Sequence, residues 1–306
     1  MSDNVTEMLR KVRKIEIATR RQVSDAMAGA YRSVFKGQGM DFEEAREYQP
    51  GDEIRSIDWN VTARTGKAHV KKYREERELT MMLAVDLSAS GAFGSRQQTK
   101  RELEAELASV LAFSAAHNGD KVGLALFTSE IELIIPPRKG RRHILRLIRE
   151  ILFFKPKNSG TDIAGALDGI NRMLKRKAIV VLLSDFLQGP NGVLPNPAPR
   201  ANDPVLKALD LTNRRHDLLC VNVFDEREIE LPQIGNIVLE DSETGEVVEL
   251  DTLSEQTLET YKSENKKRIK NFRTGLARIG IDCLNLEAGK PYIVQLRKFF
   301  EGRRRA

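Results

Sequence analysis

Short apolar runs and longer amphipathic segments alternate along the chain from residue 79 onward. The short runs, rich in valine, isoleucine and leucine, are predicted strands at residues 79–85, 122–127, 131–135, 178–183, 218–224 and 281–286. Between them apolar residues recur every three or four positions, which predicts helices at residues 99–117, 143–153, 162–174, 254–279 and 291–300, and a further helix through Leu206 and Leu209. The run 178–183 is apolar on both faces, as a central parallel strand must be. The alternation therefore predicts an α/β fold with a doubly wound, mostly parallel sheet.

The first 78 residues follow a different pattern. Residues 1–36 carry apolar positions at helical spacing, whereas residues 40–78 are dense in charge of both signs and contain the single tryptophan. We predict an N-terminal helical and charged subdomain over residues 1–78 and an α/β domain over residues 79–306. Within the second domain a β-hairpin is predicted at residues 237–250, in an insertion of about residues 229–252, with Glu243-Thr244-Gly245 as its turn.

Composition narrows the possible functions. The chain has 306 residues and a net charge of +6, a mild preference for acidic surfaces that does not demand nucleic acid. An aromatic content of 6% argues against a platform for stacking bases. Cys220 and Cys283 each lie in an apolar run and form no CxxC motif, which fits a reducing compartment. Because the N-terminus has no apolar signal region and no apolar run approaches the roughly 20 residues of a spanning helix, we predict a soluble, cytoplasmic protein without a transmembrane segment.

Oxygen-bearing side chains follow two of the predicted strands. Asp86, Ser88 and Ser90 come directly after the strand 79–85, Asp185 follows the strand 178–183, and Thr161 lies in a loop between them. Hard cations prefer such oxygen ligands, and the carboxyl ends of parallel strands are where ligands gather in doubly wound sheets. The sequence therefore predicts a site for Mg²⁺ (or Mn²⁺) at this end of the sheet. The alternative is that the serines cap a turn and Asp185 caps a helix.

In this order the Asp-x-Ser-x-Ser run, the loop threonine and the strand-terminal aspartate resemble the metal-ion-dependent adhesion site (MIDAS) of von Willebrand factor type A domains. The resemblance implies that the five side chains hold one divalent ion. Since five such groups leave at least one position of an octahedral shell to water, a partner's aspartate or glutamate could fill it. The positive net charge suits such an acidic partner.

A longer resemblance covers nearly the whole chain. By this resemblance the chain is identified as a member of the bacterial family catalogued as domain of unknown function 58. Its signature runs in order through Asp41-Phe42, Arg46-Glu47-Tyr48, Pro50-Gly51-Asp52, Arg55-Ser56-Ile57-Asp58-Trp59-Asn60, Thr62-Ala63-Arg64, Tyr73-Arg74-Glu75-Glu76-Arg77-Glu78, Arg215-His216-Asp217, Asp225-Glu226-Arg227-Glu228, Leu231-Pro232 and the turn from Asp241 to Gly245. The resemblance implies a von Willebrand factor A-like domain that works with a MoxR-type AAA+ ATPase in the maturation or assembly of protein complexes. Many members carry transmembrane helices near the N-terminus, whereas this N-terminal segment is polar.

The signature segment 41–78 has two interpretations. In the structural one, which we favour, Trp59 and Tyr73 anchor a small core, and ion pairs of Asp58, Arg64 and Glu76 brace it. In the functional one, the same segment is a docking face for a partner.

The function predicted is a metal-dependent adaptor that binds an acidic partner and does no chemistry on it. One alternative is a metal-assisted phosphatase or nuclease with an aspartate nucleophile. The haloacid dehalogenase-like pattern, however, would place a second aspartate where Ser88 stands, and the HExxH, GxSxG and GxxxxGK[ST] motifs are missing from the sequence.

A second alternative is binding of nucleic acid or another anionic surface through short basic runs. The candidates are Arg138, Lys139, Arg141, Arg142 and the tail at residues 303–305. Such runs are more often solvated loops, and the first of them could equally meet an acidic face of the ATPase.

Overall fold

The protein is described by a computed structural model at residues 10–19, 29, 31, 41–74, 78–96, 98–187, 203–243 and 245–303. Two compact units form, one of residues 35–79 and one in which the helical segment 10–19 joins the residues from 80 onward. The smaller unit thus lies within the predicted N-terminal subdomain, while segment 10–19 groups with the sheet. The rest of the predicted helix over residues 1–36 lies outside the described residues, apart from residues 29 and 31. The tail beyond Arg303 also lies outside them.

Within its described residues, the smaller unit consists of two antiparallel strands, one short α-helix and a single 3₁₀ turn (Ile54–Ser56). Strand β1 (Asp41–Glu47) pairs with β2 (His69–Arg74), and α1 (Trp59–Thr65) lies between them in the chain. The helix begins at residue 59 because the Asp58 carboxylate accepts hydrogen bonds from the backbone N–H groups of Asn60 and Val61. It ends at Gly66, which has a left-handed conformation (φ 74°).

The structural interpretation of this segment is wrong for Trp59. This side chain is 67% exposed, because it stands in the first turn of a helix that buries none of its residues. Asp58 serves as a helix cap. Arg64 is exposed and makes no ion pair within the described part of the chain, so it does not brace the unit as predicted. The Tyr73 side chain and Glu76 lie outside the described residues.

The larger unit is built on a six-stranded sheet, as far as the chain is described. Its strands are β3 (Thr80–Asp86), β4 (Lys121–Phe127), β5 (Ile131–Arg138), β6 (Ile179–Ser184), β7 (Asp217–Phe224) and β10 (Asp282–Glu287). They lie in the order β10-β7-β6-β3-β4-β5, and only the edge strand β5 runs antiparallel to its neighbour. The predicted mixed α/β fold with a mostly parallel sheet is therefore confirmed.

The helices between the strands also follow the predicted pattern. They are α2 (Lys100–His117), α3 (Arg141–Phe153), α4 (Ile163–Met173), α5 (Pro204–Arg215), α6 (Glu255–Arg278) and α7 (Ile293–Arg303). The hairpin β8 (Asn236–Glu240) and β9 (Val247–Asp251) projects as a separate two-stranded ladder. Across the described residues, no helix combines the length and the apolar character that crossing a membrane requires.

Helices cover both faces of the sheet. Side chains of α4, α5 and α6 pack with alternate residues of β3 and β6 in one buried cluster, while α2 contacts β3, β4 and β7. Residues of β3 from Met81 onward and all residues of β6 are consequently buried. This burial on both faces explains why the central strands are continuous apolar runs.

The strand order reverses at β3. The chain runs from β3 to β4 on one side and later enters β6 on the other side of β3, with Val85 opposite Leu183. The residues that follow these two strands therefore meet at the carboxyl end of the sheet, where doubly wound folds hold their ligands.

We expect the central packing to dominate stability. Leu182 is fully buried in β6 between Ala84 and Cys220, so Leu182→Ala should lower the free energy of unfolding by about 2–5 kcal/mol through lost burial and the cavity left behind. The matched Leu211→Ala, at a side chain 45% exposed on α5, should change it by less than about 0.5 kcal/mol. Urea unfolding followed by circular dichroism measures both, and equal losses would contradict this account of the core.

Candidate metal centre

Asp86 is the last residue of β3, and its side chain is buried between two loops. One carboxylate oxygen accepts the backbone N–H of Ser88 at 2.9 Å, and the other accepts the Ser184 hydroxyl at 2.7 Å. Ser184 reaches Asp86 because β6 lies beside β3. Both hydrogen-bond partners are neutral, and among the described residues no lysine or arginine forms an ion pair with Asp86.

The two predicted serines lie next to Asp86 and next to each other. The chain leaves β3 into a short 3₁₀ turn, Ala89–Ala92, and the hydroxyl oxygens of Ser88 and Ser90 are 3.0 Å apart. The Ser88 side chain makes no capping bond to that turn, so the capping alternative does not describe it. The N–H of Ala89 donates to the carbonyl of Ser159 at 3.0 Å, which fastens the loop that carries the buried Thr161.

Asp185 follows β6 and is held by a buried lysine. Its Oδ2 accepts Lys100 Nζ at 2.6 Å, its Oδ1 accepts the N–H of Leu187 at 2.9 Å, and Lys100 Nζ also reaches Glu228 Oε1 at 2.5 Å. Lys100 is 1% exposed at the start of α2. Burial alone would lower the pKa of Lys100, but the charges of Asp185 and Glu228 outweigh it and raise that pKa. Lys100 thus compensates Asp185 and Glu228 but does not contact Asp86.

The backbone beside Asp185 is strained. Phe186 has φ 54°, in the left-handed region that bulky residues avoid, and its N–H donates to the Ser184 hydroxyl at 2.9 Å. Its ring is buried against Phe272, with ring centroids 4.5 Å apart. This packing holds a conformation that turns the chain directly after the site.

Negative charge is poorly compensated at this end of the sheet. Burial, followed by the charge of Asp185, raises the pKa of Asp86 to about 7. Burial and the charges of Asp86 and Asp185 raise the pKa of Glu104 on α2 well above its usual value, and no side chain or backbone group in the described part of the chain is hydrogen-bonded to its Oε2. Two buried carboxyl groups therefore favour either a proton or a cation nearby.

A further carboxylate enters from the hairpin. The Thr161 hydroxyl donates to Glu243 Oε1 at 2.8 Å, and the Ser88 hydroxyl lies near enough to help lower the pKa of Glu243. Burial raises the pKa of Glu243, and the charge of Asp185 adds to this effect. Glu243 thereby lies beside both the Thr161 loop and the Ser88 turn.

Hydrogen bonds join Asp86 to Ser88 and Ser88 to Ser90, and Thr161 contacts Glu243 beside them. Asp185 is hydrogen-bonded to Lys100 and Leu187 instead, and its charge acts on Asp86. Carboxylate and hydroxyl oxygens suit a hard cation, so the residues fit Mg²⁺ or Mn²⁺. Over the described ranges, no three histidine, cysteine or acidic side chains group as ligands for an ion. A cation here would therefore depend on the hydroxyl groups.

The predicted basic run lies at the other end of the sheet. Arg138 is opposite Val122 at the start of β4, whereas the site lies beyond the ends of β3 and β6. Arg138, Lys139, Arg141 and Arg142 are exposed, and Arg141 is paired with Glu16 of the helical segment 10–19 at 2.6 Å. The run therefore forms a surface separate from the candidate metal centre.

Sequence analysis missed several residues of the site. These are Lys100, Glu104, Ser184, Glu228 and Glu243. A signal existed for three of them, because Ser184 directly precedes Asp185, and Glu228 and Glu243 lie in two runs of the family signature. Lys100 and Glu104 come from a helix whose position beside the site depends on the tertiary fold.

Comparison with known proteins places the chain in a family and beside several relatives. The family described as "Protein of unknown function DUF58" matches residues 44–271. Uncharacterized protein Mb1516 of Mycobacterium bovis is 30% identical over 296 residues, covering 96% of this chain and 89% of the relative. Uncharacterized protein YeaD of Bacillus subtilis is 26% identical over 202 residues, which cover 64% of this chain and 42% of YeaD.

Solved structures of similar fold have low sequence identity. The BatB protein of Bacteroides thetaiotaomicron is 14% identical with a TM-score of 0.43, covering 74% of this chain and 100% of that one. The von Willebrand factor A domain of SpRpn10 is 10% identical with a TM-score of 0.39, covering 72% of this chain and 94% of that one. Because these TM-scores are low, the fold is assigned from the strand order described above and not from these structures.

Removing the positive charge of Lys100 should destabilise the protein, because two carboxylates at the site lose their cation. In metal-free buffer at pH 7, Lys100→Met leaves Asp185 and Glu228 buried without their cation and should lower the free energy of unfolding by about 3–5 kcal/mol. Arg96→Met removes the cation of an exposed pair with Glu226 and should have a far smaller effect. Urea titrations measure both variants, and similar effects would show that the buried pairs do not hold the site together.

Proposed function

The chain belongs to the DUF58 family of proteins of unknown function, and from that premise we propose that it is a Mg²⁺-dependent protein-binding module that recognises an acidic side chain of its partner. The observation that carries the proposal is Asp86, a buried carboxyl group whose hydrogen-bond partners are both neutral and whose neighbours are hydroxyl groups. Such a group is stabilised by a cation that also accepts hydroxyl ligands.

Each predicted residue has a role in this proposal. Asp86, Ser88, Ser90 and Thr161 would hold the ion through carboxylate and hydroxyl oxygens, and Asp185, kept in place by Lys100, would add negative charge beside it. The bound ion would supply an electrophilic position that attracts a carboxylate oxygen. The chain itself would then select partners that present an aspartate or glutamate.

The partner follows from the family resemblance. We propose that the protein works in the cytoplasm with a MoxR-type AAA+ ATPase and an acidic client, in the maturation or assembly of protein complexes. The basic run Arg138–Arg142 lies away from the metal centre and would offer a second, independent surface to an acidic face of the ATPase.

We propose binding without catalysis. An aspartate that attacks a substrate must be approached by the reacting atom, whereas Asp86 is 4% exposed and hydrogen-bonded through both oxygens. Metal-dependent turnover of generic phosphatase or nuclease substrates by the purified protein, lost in Asp86→Asn, would contradict this part of the proposal.

Asp86→Asn should abolish or greatly weaken ion binding. Because the variant removes the one charged ligand without a cationic partner, the affinity for Mn²⁺ or Mg²⁺ should fall by at least about tenfold. Isothermal titration calorimetry on the purified protein measures this directly. The control Asp168→Asn changes an exposed carboxylate on α4 that is paired with Arg172, and it should bind the ion like the wild type.

Partner binding should then depend on the ion. Pull-down of the proposed partner, a purified MoxR-type ATPase, should succeed with Mg²⁺ and fail with EDTA or with Asp86→Ala. Equal binding by Asp86→Ala in the presence of EDTA would contradict recognition through the metal.

A further inference from the structure

Glu243 occupies an unusual position for a residue in a hairpin turn. Its neighbours Asp241 and Ser242 are exposed, whereas the Glu243 side chain is partly buried, accepts a hydrogen bond from the Thr161 hydroxyl at 2.8 Å and lies near the Ser88 hydroxyl of a second loop. Both hydroxyl groups belong to the set proposed to hold the ion. The Glu243 carboxylate therefore lies at the metal centre, on the side that the hairpin covers.

The turn is built to present this side chain. The Asp241 carboxylate accepts the N–H of Glu243 at 2.8 Å, and the carbonyl of Asp241 accepts the N–H of Gly245 at 2.7 Å. Gly245 has φ 73°, which a residue with a side chain rarely adopts, so glycine permits this turn. At the base of the hairpin, Thr252 Oγ1 donates to the Gly235 carbonyl at 2.6 Å and accepts the N–H groups of Ile234 and Gly235. Because hydrogen bonds fix the hairpin at its turn and at its base, Glu243 is held in place.

We propose that Glu243 is an internal ligand of the ion and occupies the coordination position that an acidic partner takes. This inference rests on the proposed function of the metal centre. In the absence of a partner the hairpin would supply the carboxylate, and a partner's aspartate or glutamate would replace it.

The test measures the number of water molecules on bound Mn²⁺. Glu243→Gln keeps the size of the side chain and removes its charge, so Mn²⁺ should bind about tenfold more weakly and carry about one more coordinated water. Titration with Mn²⁺ alone, followed by calorimetry and by water-proton relaxation, measures both quantities. Glu240→Gln changes an exposed carboxylate on the same hairpin and should match the wild type in affinity and relaxation.

Acetate tests the replacement step with the simplest carboxylate. It should reduce the water-proton relaxation of bound Mn²⁺ in Glu243→Gln, where it displaces the additional coordinated water, whereas in the wild type it would replace one carboxylate by another and leave the relaxation unchanged. An equal response of the two proteins to acetate would overturn the competition.

The outcomes separate the two proposals. If the wild type binds Mn²⁺, Asp86→Asn does not, and Glu243→Gln equals the wild type in affinity and relaxation, the metal centre stands and the internal ligand is refuted. If Glu243→Gln loses affinity without gaining a coordinated water, its charge acts from a distance and the internal ligand is again refuted. If the wild type binds no Mn²⁺, both proposals fail.

Discussion

Burial of negative charge at the carboxyl ends of β3 and β6 is the constraint on which this end of the molecule depends. Asp86 and Asp185 meet there because the two strands are adjacent and parallel, and the sheet around them excludes water. Lys100 compensates Asp185 and Glu228, hydrogen bonds from neutral groups stabilise Asp86, and Glu104 has an unpartnered oxygen. Isolated buried charge is costly, so the arrangement makes physical sense when a cation shares the site.

The same constraint organises elements that are far apart in the chain. Lys100 belongs to the first turn of α2, which is fixed by the capping box of Thr99 and Glu102, so the ammonium group is carried to the sheet by a well-defined helix start. Asp225, at the end of β7, accepts hydrogen bonds from Ser95 and from the N–H of Arg227. Burial raises the pKa of Asp225, but these bonds outweigh it and hold that pKa below its usual value. Loops after three neighbouring strands are thereby tied together around the candidate metal centre.

Local patterns are sufficient to predict the strands and helices of the larger unit and the placement of Asp86 and Asp185 at the same end of the sheet. Apolar runs mark strands buried on both faces, and parallel strands necessarily end at the same edge of a sheet. The contacts of Lys100 with Asp185 and Glu228 and of Thr161 with Glu243 could not be predicted, since they join residues 85, 128 and 82 positions apart. Trp59 was misjudged because a large aromatic residue usually marks a core, whereas α1 is too short and too polar to bury one.

The length of the hairpin β8–β9 sets the position of the carboxylate at its tip. Its base is fixed at Gly235 and Thr252, so the reach of Glu243 is set by the number of paired residues between base and turn. Each residue lengthens a strand by about 3.3 Å, and a shift of pairing by one residue turns every side chain to the opposite face. The length of the hairpin therefore decides whether Glu243 reaches Thr161, and a ladder longer by one pair would carry this carboxylate away from the Thr161 loop.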